Sequence, residues 1–226
     1  MHNIELVIFD MAGTVVDEGN LVYKTLQQVI NNEGFDVTLD FVLEFGAGKE
    51  KHHAIKDILE EIGIEDFEAK SNGIFEKFKV LLAEAYKALE VTSYHGVEEL
   101  IQDLKHANIK VVLNTGYDKA TAQLLLGKMK WDLGVHYDAL FTADDVENGR
   151  PNPDMIFEAM KQTNITEPSK VLKAGDSIID IEEGKNAACG LTVGVTTGAH
   201  TAKQLASANP DFVLESLSEL RGILLK

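Results

Sequence analysis

Near the start of the chain, apolar residues run Ile4-Glu5-Leu6-Val7-Ile8-Phe9 and stop at Asp10, before Met-Ala-Gly-Thr. A short β-rich run closed by turn residues predicts a buried strand. From Leu21 to about Glu90 the spacing changes to threes and fours. Leu21, Thr25, Val29 and Ile30 share one helical face, and Ile55, Ile58, Leu59 and Ile62 share another. Ile74, Phe75, Phe78, Leu81, Leu82 and Tyr86 form a third, and such spacing predicts amphipathic helices. Beyond Gly96 the pattern alternates. Helices are predicted over 97–107, 119–130, 154–162 and 178–188. Strands are predicted over 109–113, 139–141, 171–174 and 191–195, and two short helices flank Phe212-Val213-Leu214.

Helices alternating with short apolar strands imply an α/β, Rossmann-like parallel sheet with crossovers on both faces. The helical stretch has no strand of its own and reads as an insertion. Residues 1–17 and 93–226 are expected to form the α/β core, and 18–92 an all-helical cap. Hinges are expected where the two patterns meet, at 17–19 and 93–96. Open parallel sheets place their sites off the carboxyl ends of the strands, so the insertion would cover the chemistry.

Composition narrows the class. At 226 residues and 45% hydrophobic, the chain can bury a core without a disulfide or metal staple. No apolar run reaches the roughly 18 residues of a spanning helix, and the first ten residues do not read as a signal peptide. No membrane role is expected. A single cysteine, Cys189, excludes an internal disulfide and suits a reducing, cytoplasmic compartment. With 37 acidic against 21 basic residues and a net charge of −16, the surface repels nucleic acid. A small phosphorylated or phosphonate substrate remains compatible, because a local nest of cations, amides and metal can hold it.

The predicted strand ends carry the candidate chemistry. Asp10 precedes Gly13-Thr14, and Asn114-Thr115-Gly116 ends the second strand. Gly149-Arg150-Pro151 follows the third, and Gly175-Asp176-Ser177 ends the fourth, with Asp180 one helical turn on. An Asp after a strand is ordinary capping chemistry when met alone. In this order, Asp10 and Asp176 make an oxygen-rich site for Mg²⁺. The Thr115 hydroxyl, the Gly116 amide and the Arg150 guanidinium can bind phosphoryl oxygens. A carboxylate facing a metal-bound phosphoryl group can attack phosphorus. Asp180 could anchor Arg150 or reach the metal through water.

Asp10-x-x-Gly13-Thr14, Thr115, Arg150 and Asp176-x-x-x-Asp180 together resemble the haloacid dehalogenase superfamily of aspartate-nucleophile hydrolases. The helical insertion sits where that family carries its cap. The resemblance implies Asp10 as nucleophile, with Mg²⁺ on Asp10, Asp176 and the Ala12 carbonyl, and Thr14 in support. Phosphatases of the superfamily carry an acidic residue at the position of Ala12, where it protonates the leaving alkoxide. An Ala there, in Asp10-Met11-Ala12-Gly13-Thr14, is similar to the phosphonatases (phosphonoacetaldehyde hydrolases). Thr115-Gly116-Tyr117 and Gly149-Arg150-Pro151-x-Pro153 are similar to them as well. Met11 and Asn20 stand where phosphonatases commonly carry Trp and Cys. In that family a cap lysine forms an imine with the substrate aldehyde, which accepts the electrons of the breaking carbon–phosphorus bond. The family's Gly-x-x-Lys-x-x-His stretch fits Gly46 to His52, implying Lys49 as the imine-forming residue and His52 as its acid–base partner. If a helix spans this stretch, Lys49 and His52 share a face and Lys51 points away. The alternatives are a phosphatase of small phosphomonoesters, of the phosphoglycolate phosphatase kind, and a non-catalytic protein that binds a phospho-ligand. The resemblance is compatible with a homodimer formed through the cap.

Overall fold

The computed structural model describes residues 3–225. The chain runs β1 (Leu6–Asp10), β2 (Val16–Asp17), then four helices, α1 (Leu21–Asn32), α2 (Leu39–Gly46), α3 (Lys51–Glu61) and α4 (Phe67–Ala88). It continues with β3 (Thr92–Ser93), α5 (Val97–His106), β4 (Lys110–Asn114), α6 (Lys119–Met129), β5 (Ala139–Phe141) and α7 (Asp154–Thr163). The last part is β6 (Val171–Gly175), α8 (Ile178–Asn186), β7 (Leu191–Val195), α9 (Ala202–Ser207), β8 (Phe212–Leu214) and α10 (Leu220–Leu224). Six strands form a parallel sheet in the order β5-β4-β1-β6-β7-β8. This is the Rossmann-like α/β architecture expected from the alternating pattern.

The central strand shows why its sequence is almost wholly apolar. Leu6 and Ile8 pack with Ile156 and Ala159 of α7 on one face. Val7 and Phe9 pack with Leu100 and Leu104 of α5 on the other. A strand covered on both sides needs apolar residues at successive positions. Asp10 ends it opposite Asn114 of β4, one residue after Phe9 has paired with Ala174 of β6. The strand order reverses at β1, so the carboxyl ends of β4, β1 and β6 open one crevice.

The inserted helices pack on one another, α1 and α3 against α4 and α2 against α1 and α3. Their inward faces match the predicted spacing, with Ile55, Ile58 and Leu59 on α3 and Ile74, Phe78, Leu82 and Tyr86 on α4 all buried. Two features depart from the sequence reading. A two-residue antiparallel ribbon, Val16 with Ser93 and Asp17 with Thr92, joins the two ends of the insertion. Elements that short leave no periodicity to detect. Helix α3 also begins at Lys51, not before it. Glu50 is its N-cap and accepts from the backbone N–H groups of His52 and His53, both at 2.9 Å. Lys49 therefore lies in the preceding loop.

Candidate active site

Three carboxylates meet at the strand ends. Oxygen atoms of Asp10, Asp176 and Asp180 lie within 4.8 Å of one another, and all three residues are buried. Tight backbone makes this possible. Gly13, at φ +82°, passes so close that a Cβ there would lie 2.3 Å from Asp176 Oδ2, and only glycine combines that conformation with that approach. Asp176 is fixed by the Ala199 N–H, which donates to its Oδ2 at 2.6 Å.

The three are not equivalent. Burial raises the pKa of Asp10, and Asp180 adds to the effect against Arg150 and Lys173. Burial likewise pushes Asp176 well up, and the charges of Asp10 and Asp180 push the same way. Burial would also raise Asp180, but Lys173 and Arg150 overcome it and hold the group at about 2. Asp180 is thus an anchored anion, occupied by Arg150 at 2.5 Å, Lys173 at 2.9 Å and the Ser177 hydroxyl at 2.6 Å. Asp10 and Asp176 are two hard oxygen donors whose repulsion a cation would relieve, and this donor set fits a hard divalent ion. Arg150 spans the centre: Nη1 donates to Asp10 Oδ1 at 2.8 Å and to Asp180. Thr14 Oγ1 lies 3.5 Å from Asp10 Oδ2.

Beneath these carboxylates lies a buried polar layer that the sequence pattern does not reveal. Lys173, fully buried in β6, donates to Asn114 Oδ1 at 2.6 Å and pairs with Asp180 and Glu183. Asn114 Nδ2 donates to both Glu183 oxygens, at 2.8 and 3.0 Å. On α8, Glu182 is exposed, but its neighbour Glu183 is fully buried. The available signal was Lys173 itself, the one cation within the apolar run Val171-Leu172-Lys173-Ala174. A charge in a central strand requires buried partners.

Thr115 and Gly116 follow β4 into the same crevice. The inserted helices reach the core here through the loop from Ala47 to Glu50. Gly48 has φ +76°, and a Cβ on it would lie 2.5 Å from Ser177 Oγ and 2.9 Å from Ile179 Cβ. A Cβ on Gly116 would lie 3.0 Å from the Gly48 carbonyl oxygen. Two residues without side chains thus form the seam between the layers.

The lysines of this loop do not lie as the helical spacing predicts. Lys49 forms a half-buried ion pair with Asp57 of α3. His52 bonds Ser71 Oγ at 3.1 Å through Nε2 and stacks on Phe75. The structure does not bring either side chain to the carboxylates. Lys51, expected to face away, is 6% exposed and turns inward. Its Nζ lies 5.2 Å from the Tyr23 ring centre and 5.4 Å from that of Tyr117, and it donates to the Lys49 carbonyl. Lys49 precedes the N-cap Glu50 and so does not follow helical periodicity. The spacing Gly-x-x-Lys also fits Gly48 to Lys51, with Ala54 three residues later. Burial lowers the Lys51 pKa to about 8, helped by the Arg150 charge and opposed by Glu50, Asp10 and Asp176.

Lys51 opens onto a cavity of about 600 Å³ between the helical layer and the core, shared with Tyr86, Gly116 and Tyr117. Near it Glu18 is 2% exposed, caps α1 by accepting from the Val22 N–H at 3.2 Å, and is raised by burial to about 7. A carboxyl whose folded pKa exceeds its unfolded value adds stability at low pH and loses it as pH rises from about 4.5 to 7. Glu18→Gln should therefore gain on the parent by about 2–3 kcal/mol between pH 5 and 8. Urea unfolding of both proteins at the two pH values checks this; an equal gap at both would refute it.

Comparison with known proteins agrees with this architecture. The model of the haloacid dehalogenase-like hydrolases matches residues 7–194, and the chain belongs to that family. Within it, the chain is similar to phosphonoacetaldehyde hydrolases. It is 32% identical to that of Latilactobacillus sakei, over 100% of this chain and 97% of the relative. It is also 32% identical to that of Bacillus cytotoxicus, over 87% and 77%. A phosphonoacetaldehyde hydrolase-like protein from Oleispira antarctica superposes with a TM-score of 0.84 at 23% identity, covering 98% of this chain and 91% of that one. A predicted phosphoglycolate phosphatase from Haemophilus somnus shares the fold with a TM-score of 0.81 at 18% identity, over 99% of each chain.

Proposed function

We propose that the protein is a Mg²⁺-dependent aspartate-nucleophile hydrolase that cleaves the carbon–phosphorus bond of phosphonoacetaldehyde or a related phosphonoaldehyde. The observation that carries this reading is Lys51, a buried amine with a lowered pKa between the carboxylate site and the cavity. Lys51 takes the role that the motif spacing assigns to Lys49. Ala12 supports it from the other side, because no carboxyl acid stands there to protonate an alkoxide. The leaving electrons then need a sink, and an imine provides one.

Asp10 is the nucleophile, with Oδ1 held by Arg150 Nη1 and Oδ2 near the Thr14 hydroxyl. Thr115, Gly116 and Arg150 bind the phosphoryl oxygens. Asp10, Asp176 and the Ala12 carbonyl would hold Mg²⁺, which supplies positive charge against the phosphoryl group. Lys51 adds to the aldehyde in its neutral form, favoured by the same desolvation that lowers its pKa. The 18–92 segment acts as a cap that excludes water from the acyl phosphate. The relatives named phosphonoacetaldehyde hydrolases support the substrate class. The test is a steady-state panel of phosphonoacetaldehyde against small phosphomonoesters, following acetaldehyde and phosphate. Equimolar acetaldehyde and phosphate from the phosphonate are expected. Turnover of the esters alone would replace this reading with a phosphatase.

A further inference from the structure

We infer that the site accepts an apolar arm on the carbonyl carbon of the substrate, so that a 2-oxoalkylphosphonate ketone is turned over faster than the two-carbon aldehyde, which the site also cleaves. This rests on the imine reading above and concerns what fills the cavity beyond Lys51. At the roughly 30 Å³ each water takes in the liquid, the 600 Å³ space holds about twenty waters. Phosphonoacetaldehyde has about seven non-hydrogen atoms, comparable to at most about seven waters. Much of it would lie outside this space, because the phosphoryl group belongs with Asp10, Arg150 and Thr115, none of which lines the cavity. Lys51 and Gly116 stand where the two regions meet. A two-carbon substrate ends at the lysine and leaves the space behind it unfilled.

The walls there are apolar. Val22 comes from α1, Phe75, Phe78 and Leu82 from one stripe of α4, and Leu124 from α6. Phe78 and Leu82 are buried, whereas Leu124 keeps 44% of its surface exposed. The bordering charges of Lys79, Asp118 and Asp144 belong to exposed residues at the rim. An apolar arm laid along the stripe would cover Leu124 and gain the burial energy of its own carbons.

The chemistry balances. Lys51 Nζ adds to the ketone carbon and the carbonyl oxygen leaves as water, giving an iminium. Asp10 attacks phosphorus, the carbon–phosphorus bond breaks, and its electron pair moves onto the iminium to form an enamine. Protonation at carbon and addition of water return the amine and release a methyl ketone. A second water cleaves the aspartyl phosphate to inorganic phosphate.

The test is a series of phosphonates P–CH₂–C(O)–R with R hydrogen, methyl, propyl and phenyl, assayed for kcat/KM by phosphate and ketone or aldehyde release. Propyl or phenyl should exceed hydrogen by at least about tenfold, the scale of about two buried methylenes. Two variants that fill the cavity, Ala83→Phe and Leu124→Trp on its exposed rim, should each erase that preference. Turnover of the hydrogen member with rejection of the longer arms overturns this inference and leaves the imine reading standing. A preference that survives both variants overturns the placement of the arm. No phosphate release and no borohydride-trapped adduct with any member overturns the imine reading itself.

Discussion

Asp10→Asn should fold like the parent and lose turnover by at least about a thousandfold, the scale on which removing a nucleophile acts. An amide retains the shape and can still accept from Arg150 Nη1, now 2.8 Å from Asp10 Oδ1, so the buried network keeps its geometry. What disappears is the anion that attacks phosphorus. The substitution also removes a charge that, after burial, helps to raise the pKa of Asp176. The melting temperature should therefore be no lower than that of the parent. Phosphate release and thermal unfolding of the same preparation separate lost chemistry from lost fold. A residual rate of one tenth would rule out Asp10 as nucleophile.

Lys51→Arg should abolish carbon–phosphorus cleavage, while Lys49→Arg should stay within about threefold of the parent. A guanidinium remains protonated and cannot form the imine. Lys49 has its own partner in Asp57 of α3. Borohydride added with phosphonoacetaldehyde should fix the reduced adduct on Lys51, read by peptide mass mapping. The pH profile follows from the direction of the shift. Burial favours the neutral amine and brings its pKa to about 8, so kcat/KM should rise about tenfold per unit as pH climbs toward 8, then level off. A profile that falls over that range, or an adduct on Lys49, would return the role to the motif position.

How much was legible in the sequence follows from what each residue's position depends on. β1 was readable because burial on both faces forces Leu6, Val7, Ile8 and Phe9 to be apolar. The stripes of α3 and α4 were readable because each helix buries one face. Asp10, Thr115, Arg150 and Asp176 were readable because each follows a strand, and the parallel topology collects strand ends. Lys51 was not, because its direction depends on where α3 starts, and that is fixed by Glu50 capping two backbone N–H groups. Extending helical periodicity two residues too far exchanged the inward and outward lysines. Lys173 and Glu183 were hidden for a different reason: they bind partners 59 and 69 residues away in sequence, both on Asn114.

The glycine seam bears on how such a protein can diversify. Gly48 and Gly116 meet where a side chain on either would press against the facing layer, so that seam tolerates little change. Phe75, Phe78 and Leu82 line the cavity from α4, well removed in sequence from Gly48, Gly116, Lys51 and the strand ends. Mutational drift can thus reshape the wall that meets a substrate's far end while the seam and the reacting groups stay fixed. Within one lineage, acceptance of new compounds should track substitutions on α4, and the loop from Gly46 to Lys51 should change least.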